Sequence, residues 1–232
     1  MISEERPDQR ESDPIFRSLD PHQRQELERL IAAGTYPAGH VFHTPNEVGE
    51  EIFVLHSGRV RIYKLSPEGR ALTLLVLEAP TIFGEMSLVG QHFHDTFAEA
   101  MHEGVVGVMA RATMQQILES HPAVALAVME LMGQRLRIME NKLADIAFKS
   151  VPQRLASLLL NLAGVAPGQI HASSAPRMVR YTHQQLADMI GSYRETVTKA
   201  IGELREAGII YIEDEAIALT DLIQLQRMAH HQ

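Results

Sequence analysis

The stretch THQQLADMIGSYRETVTKAIGELREAGII, residues 182–210, contains two short helical patterns separated by a glycine. Thr182 and Gln185 have the spacing of a capping box, and Ser192 and Glu195 repeat that spacing after the glycine. The inward positions of the first helix are Leu186, Ala187 and Ile190. The corresponding positions of the second helix are Val197, Ile201 and Leu204. Two short helices joined by a tight turn indicate a helix-turn-helix.

A strand pair follows the second helix, which we expect to end at Gly208. Its predicted parts are IIYI (209–212), the acidic turn EDEA (213–216) and IALT (217–220). Upstream, residues 149–163 have a helical pattern, and residues 164–178, rich in Gly, Pro, Ala and Ser, have the composition of a loop. A helix-turn-helix with a following hairpin is a winged helix-turn-helix.

The face of the second helix opposite its apolar stripe carries polar side chains near the N-terminus: Arg194, Glu195, Thr198 and Lys199. When such a helix enters a major groove, Arg can bind guanine with two hydrogen bonds, and Glu can accept one from cytosine. The alternative is a small helical bundle with a solvated charged face, in which Glu195 is only a capping residue. Residues 180–206 contain four basic and four acidic groups, a weak electrostatic footprint for DNA.

The composition limits the remaining classes. The 232 residues contain 21 Lys and Arg against 29 Asp and Glu, a net charge of −8, which excludes a uniformly basic nucleic-acid coat. Residues 1–148 carry all of this excess, because residues 149–232 contain eight groups of each sign. The absence of cysteine excludes disulfides, zinc–thiolate sites, iron–sulfur clusters held by cysteine, and thiol nucleophiles. No apolar run reaches the length of a membrane span, and the polar start favours a cytoplasmic protein without a signal peptide.

The N-terminal part begins with a polar stretch, residues 1–14, which we expect to be a mobile tail. A short helix should follow, with Asp20 as N-cap, Pro21 at the first position and Gly34 as C-terminal cap. Its expected buried positions are Leu27, Leu30 and Ile31.

Strand patterns and turns then dominate up to about residue 110. The clearest strand patterns are IFVL (52–55), RVRIYKL (59–65) and LTLLVL (72–77), separated by HSG and SPEG turns. In RVRIYKL the apolar residues alternate, so Val60 and Ile62 should share one face. Short strands with a glycine turn about every ten residues indicate a β-sandwich or barrel-like roll.

A long helical pattern opens at Pro122. Its apolar residues recur at alternating spacings of three and four: Met129, Met132, Leu136, Met139, Leu143 and Ile146. Such a narrow a/d seam, flanked by charge, is typical of a helix that pairs with a second copy of itself. In that register Arg135 and Glu140 would face each other across a parallel dimer. The alternative is a helix packed on its own domain, which usually has a broader apolar face.

Three segments of this chain resemble the Crp/Fnr, or catabolite-activator type, family of transcription regulators. The family's recognition core is matched by Arg194-Glu195-Thr196-Val197-Thr198-Lys199. QRLRIMENKLADIAF (134–148) is similar to the end of its dimerisation helix, and IFGEMSL (82–88) to its effector-pocket motif. The resemblance runs from about residue 15 to residue 225.

The resemblance implies an α+β protein with three functional parts. These are a β-roll sensor like the cyclic-nucleotide-binding jelly roll (15–121), a dimerisation helix (122–148) and a winged helix-turn-helix (149–232). It further implies a homodimer that binds a palindromic TGTGA-like site on double-stranded DNA and contacts RNA polymerase. Neither an enzymatic activity nor a membrane partner is expected.

The same resemblance assigns roles in DNA binding. Arg194 and Glu195 match the family's readers of guanine and cytosine, and Lys199 replaces a residue that is Arg in the most similar members, with loss of its two-pronged geometry. Thr182 and Gln184 match positions that contact phosphates. Thr196 is a candidate for the same contact, and Thr198 shares the groove-facing side.

The effector pocket departs from the family pattern. Gly84 and Glu85, followed by Met86 and Ser87, match the ribose-binding motif. The Arg-Ser pair that binds a cyclic phosphate is Asp95-Thr96 here, and an Asp would repel that phosphate. The Thr-Ser pair that contacts the base is Met139-Glu140. The effector is therefore left unknown, with cAMP disfavoured and another small ligand, or none, favoured.

One motif suggests a different class of protein. His92, His94 and Glu99 are metal-ligand types and resemble half of a cupin motif, so a cupin-like metal-binding β-barrel enzyme or sensor is the alternative. No second motif with a later histidine accompanies them, which favours a histidine-rich loop and no metal.

Overall fold

The computed structural model describes residues 14–89, 93–166 and 175–230, so the expected mobile tail lies outside the described residues apart from Pro14. These residues fall into two compact units. The described residues within Met1–Lys64 and Leu74–Ile138 form the N-terminal unit, and those within Leu65–Thr73 and Met139–Gln232 form the C-terminal unit. Across the part of the chain that is described, no helix is both long enough and apolar enough to cross a membrane.

Eight strands form two four-stranded sheets, which build the predicted β-roll. They are β1 (Ala32–Tyr36), β2 (Val41–His43), β3 (Glu51–Leu55), β4 (Arg59–Leu65), β5 (Ala71–Glu78), β6 (Thr81–Phe83), β7 (Phe97–Ala100) and β8 (Gly104–Ala110). The strand orders are β1-β8-β3-β6 and β2-β7-β4-β5. The alternation in RVRIYKL is confirmed, because Val60 and Ile62 both belong to the apolar cluster inside the roll. Phe53 and Phe83 stack at the centre of this cluster, 4.8 Å between ring centroids.

Three helices accompany the roll: α1 (Pro21–Leu30), α2 (Arg111–Ser120) and the first part of α3 (Pro122–Phe148). A second apolar cluster joins these helices to the sheet that contains β3. Ile52 and Val54 of β3 share this cluster with Met114 of α2 and Val124 of α3. The long helix predicted from Pro122 is therefore present, and its beginning is anchored on the roll.

The first helix differs from expectation at its end. Asp20 is the N-cap of this helix, as predicted, and it forms a capping box with Gln23. The predicted C-terminal cap at Gly34 is wrong, since the helix ends at Leu30 and Gly34 lies in β1, opposite Val106. Leu30 is 57% exposed, so it is not a buried position. The chain enters the sheet directly after the helix, because β1 must pair with β8 along its whole length.

The C-terminal unit contains the predicted helix-turn-helix. Its elements are α4 (Val151–Leu162), β9 (Arg177–Val179), α5 (His183–Ile190), α6 (Arg194–Glu206), β10 (Ile210–Ile212), β11 (Ala216–Leu219) and α7 (Leu222–His230). The wing has three strands in the order β10-β11-β9, so the interpretation of residues 177–178 as loop is wrong. That third strand pairs its backbone with β11, a contact distant in sequence. Helix α7 was not anticipated, and it packs on α4.

Candidate nucleic-acid interface and effector site

The two helices of the helix-turn-helix are joined at Gly191, which has a left-handed φ of 64° and ends α5. Thr182 caps the start of α5, because its hydroxyl accepts from the Gln185 amide at 3.1 Å and the Gln185 side chain accepts from the Thr182 amide at 2.8 Å. The predicted second capping box is wrong. The Ser192 amide bonds the Ala187 carbonyl at 2.9 Å and closes α5, so Tyr193 becomes the N-cap of α6 without a side-chain bond.

Helix α6 presents the predicted reading face to solvent. Val197, Ile201 and Leu204 are buried beneath it. The residues exposed on or beside that face are Arg194, Glu195, Thr196, Thr198 and Lys199. Lys199 also lies 3.8 Å from Glu203 one turn further on. The exposed Arg194 and Glu195 stand at the N-terminus of α6, the end of a recognition helix whose residues contact base edges in helix-turn-helix proteins.

Three of the predicted contact residues already have partners within the unit. The Thr198 hydroxyl donates to the Arg194 carbonyl at 2.8 Å and accepts from His183 Nδ1 at 2.8 Å, which ties α5 to α6. Gln184 Nε2 donates to the buried carboxylate of Asp188 at 2.7 Å. Thr182 serves as the cap described above. The capping role of Thr182 was predicted from its spacing to Gln185, whereas the contacts of Thr198 and Gln184 were not anticipated.

Arginines hold the acidic wing in place. Arg177 of β9 lies 3.1 Å from Glu213, and Arg180 Nη1 donates to the carbonyl of Asp214 at 3.3 Å. The ion pair and the hydrogen bond engage two arginines within the wing.

The residues of the expected effector motif form a tight turn after β6. Gly84 adopts φ 82°, and Glu85–Leu88 forms a short 3₁₀ helix. Glu85 and Ser87 are buried, while Met86 is 53% exposed. Ser87 Oγ donates to the Gly84 carbonyl at 2.8 Å, so this hydroxyl stabilises the turn.

Arg135 of α3 binds this turn. Its guanidinium donates to the Glu85 carboxylate, to the Ile82 carbonyl at 2.6 Å and to Thr81 Oγ1 at 3.3 Å. The prediction that Arg135 faces Glu140 across a dimer is wrong, because Arg135 is buried in its own unit. The available signal was spacing: Val124, Val128 and Arg135 share one helical face, and all three are buried.

The second expected element of the pocket lies before β7. Asp95 is exposed and pairs with Lys64 at 2.9 Å. The Thr96 carbonyl accepts from His43 Nδ1 at 2.9 Å. Met139 and Glu140 belong to the C-terminal unit, where Met139 is half-buried and Glu140 exposed.

A pair of stacked histidines lies behind this segment. The rings of His43 and His94 are 3.8 Å apart and nearly parallel, and both residues are buried. The pKa of His43 is lowered to about 4, chiefly by burial and to a smaller extent by the neighbouring His94. Burial likewise lowers the pKa of His94. The pair is therefore neutral at pH 7.

The metal alternative gains no support from these contacts. His92 lies outside the described residues, and His94 stacks on His43. Glu99 accepts from Arg61 Nη2 at 2.9 Å and from the Tyr63 hydroxyl at 3.0 Å. Within residues 14–89, 93–166 and 175–230, no three His, Asp or Glu side chains are grouped as a metal site would need.

The residues of the expected seam differ in exposure. Met129, Leu136, Leu143 and Ile146 are exposed. Met132 packs partly on the cluster that anchors α3. The helix therefore has a strip of exposed apolar residues in addition to Val124 and Val128, which are buried in the cluster that contains β3.

Two family models match the two halves of this architecture. Residues 34–121 match the cyclic nucleotide-binding domain, and residues 153–228 match the Crp-like helix-turn-helix domain. Together with the exposed reading face of α6, they define a DNA-binding transcription regulator with a sensor-type β-roll, and not an enzyme.

Known relatives cover most of the chain. It is 28% identical to the CRP-like cAMP-activated global transcriptional regulator of Mycobacterium tuberculosis, over 93% of this chain and 96% of the relative. It is 33% identical to the transcriptional regulator LdrP of Thermus thermophilus, over 78% of this chain and 90% of the relative. A solved CRP-family regulator from the same organism aligns with a TM-score of 0.70 at 27% identity, covering 84% and 96% of the two chains. This chain belongs to the Crp/Fnr family of transcriptional regulators.

Proposed function

We propose that the protein binds a palindromic TGTGA-like site as a homodimer and regulates transcription there. The observation that carries this proposal is the exposed Arg194–Glu195 pair at the N-terminus of α6. In the groove, Arg194 would bind a guanine with two hydrogen bonds and Glu195 would accept from a cytosine. Thr196 and Lys199 are the exposed neighbours suited to phosphate or base contacts, whereas Thr182, Gln184 and Thr198 chiefly position the helices.

The second copy of the chain is the proposed partner of helix 122–148. The exposed apolar residues of its strip would bury one another in a parallel pair of helices. A dimer also explains the expected palindrome, because two recognition helices related by a two-fold axis read two half-sites about one turn of DNA apart. In this proposal residues 15–121 sense, residues 122–148 dimerise and residues 149–232 read DNA. RNA polymerase is the proposed partner on the promoter.

We further propose that cAMP is not the effector. Relatives named for cAMP share the fold, but the position expected for a phosphate-binding Arg holds Asp95, paired with Lys64. The ribose position, Glu85, is bound by Arg135. A cyclic phosphate near Asp95 would meet repulsion instead of a charge-assisted hydrogen bond. We propose instead that a different small ligand binds at the turn Gly84–Ser87, or that the protein needs no effector.

A binding selection on random-sequence DNA, with and without candidate nucleotides, tests both proposals together. We expect enrichment of a two-fold symmetric TGTGA-like site in the absence of any nucleotide. Selection of an asymmetric site would contradict the dimeric reading mode. Calorimetric titration with cAMP addresses the effector separately, and micromolar binding would overturn the second proposal.

A further inference from the structure

The loop between β4 and β5 belongs structurally to the C-terminal unit, although its strands are part of the roll. Leu65–Thr73 groups with Met139–Gln232. Within it, the Ser66 amide donates to the Arg70 carbonyl at 2.8 Å, and the Arg70 amide donates to Ser66 Oγ at 3.2 Å. These bonds occupy the backbone of Arg70, so its side chain projects from a defined turn.

Two further contacts fix this loop in its unit. Lys142 Nζ of α3 donates to the Thr73 carbonyl, and burial lowers the pKa of Lys142 to about 8. Leu72 packs at the turn of the helix-turn-helix, since a Cβ added at Gly191 would lie 3.4 Å from Leu72 Cδ1. The loop is therefore held from both sides, beside the turn that precedes α6.

Arg70 reaches the start of the recognition helix. Its guanidinium carbon lies 4.0 Å from the ring centroid of Tyr193, the N-cap of α6. Tyr193 is 60% exposed and immediately precedes Arg194. The N–H donors of a guanidinium lie in its own plane and point outward, so a guanidinium over an aromatic face can still donate to an anion.

Because the charges of the recognition segment balance, an additional arginine beside it would contribute to the attraction for phosphate. Residues 180–206 hold four basic and four acidic groups, so the recognition segment adds little attraction for phosphate. Arg70 adds a positive charge next to the helix end, from more than one hundred residues away in sequence. The nearby acid is Glu68, whose pKa is lowered mainly by a hydrogen bond with Ser66 and less by the charge of Arg70.

We propose that Arg70 is a further DNA-contacting residue, which binds a backbone phosphate beside the groove entered by α6. The proposal rests on the proposed reading role of α6. A helix whose N-terminus enters a groove about 12 Å wide has phosphates on either side of that end. A guanidinium stacked on the N-cap residue stands where such a phosphate passes, and it positions the protein without reading the sequence.

The test measures DNA affinity against salt concentration for the full chain and Arg70→Gln. Removing one phosphate contact should reduce the slope of log K against log salt by about 0.9 for each half-site. The affinity difference from the unmodified protein should therefore shrink about three- to fourfold per half-site between 50 and 200 mM salt. The loss should be equal for cognate and unrelated DNA. Arg70→Lys should keep the slope, since it keeps the charge.

Arg29→Gln is the matched control, because it removes one exposed positive charge from α1. Tyr193→Ala should make a following Arg70→Gln change nearly silent, since the ring no longer holds the guanidinium. If Arg70→Gln has the same DNA affinity and salt slope as Arg29→Gln, the inference is wrong. Tighter DNA binding by Arg70→Gln would also overturn it and would show that the loop opposes DNA binding. The variant Arg194→Ala tests the proposed reading role of α6 separately from the phosphate contact of Arg70. A normal preference in that variant would show that the proposed reading role of α6 fails, and the inference with it.

Discussion

The guanidinium of Arg135 and the carboxylate of Glu85 form an ion pair in which both side chains are at least nine-tenths buried. Arg135 belongs to the long helix α3, and Glu85 opens the turn of the expected effector motif. The pair therefore joins the turn of the expected effector motif directly to α3, which continues along the chain into the C-terminal unit. A ligand that used Glu85 would have to displace or share Arg135, which gives ligand binding a physical route to that helix.

Arg135→Met should strongly destabilise the protein. Removing one partner of a buried pair leaves the other charge uncompensated, at a cost of about 3–5 kcal/mol in the free energy of unfolding. The double variant Arg135→Met with Glu85→Gln should recover most of this loss, because no charge remains buried. Urea unfolding monitored by circular dichroism measures both, with Arg137→Met, exposed on the same helix, as control. A double variant as unstable as the single one would contradict the account.

Leu136→Glu should convert the proposed dimer into a monomer. The side chain is 59% exposed in one chain and stands in the middle of the apolar strip, so a carboxylate there would be buried unpaired in the dimer. Light scattering at several protein concentrations measures the mass. Gln134→Glu adds the same charge at an exposed position off the strip and should stay dimeric. A dimeric Leu136→Glu variant would show that the copies associate through another surface.

Arg194→Ala should weaken binding to the selected site by about 1–3 kcal/mol and relax one base preference. The reason is the loss of a two-pronged contact that only guanine satisfies. Competition binding with single-base variants of the site measures the preference. Arg205→Ala removes an exposed charge at the other end of α6 and should leave the preference intact. An unchanged preference in Arg194→Ala would remove its assigned role.

The stability of the N-terminal unit should fall as pH is lowered from about 6.5 toward 4. His43 binds a proton at about pH 4 when folded, because burial and the neighbouring His94 lower its pKa, whereas the unfolded chain binds that proton at about 6.5. The unfolded state therefore gains protons first as pH falls, and the loss totals on the order of 3 kcal/mol. Above pH 7.5 this histidine should contribute no pH dependence.

Urea unfolding at pH 7.5, 6 and 5 measures this effect in the unmodified protein and in His43→Gln. The free energy of unfolding of His43→Gln should fall less steeply with decreasing pH than that of the unmodified protein. His22→Gln changes an exposed residue of α1 and should behave like the unmodified protein. Three groups raise the pKa of His43 and so partly offset the effect of burial. They are the Thr96 carbonyl and the carboxylates of Glu47 and Asp95. Equal declines in all three proteins would exclude the histidine pair as the cause.

Much of the local structure was predictable because its causes are local. RVRIYKL became a strand over its full length, Thr182 capped α5, and Pro122 began the long helix. Where two local rules competed, the prediction failed. Ser192 had the spacing of an N-cap, but its amide closes the preceding helix at Gly191 instead.

The amino-acid sequence by itself determined the class of protein: the roll, the long helix, the winged helix-turn-helix and the exposed Arg194–Glu195 pair all follow from periodicity, capping and a specific motif. Only the tertiary structure decided which side chains are already engaged. Arg135 binds Glu85, 50 residues away, and Arg70 stacks on Tyr193, 123 residues away. Such pairings depend on how distant strands and helices pack, and spacing along the chain carries no signal for them.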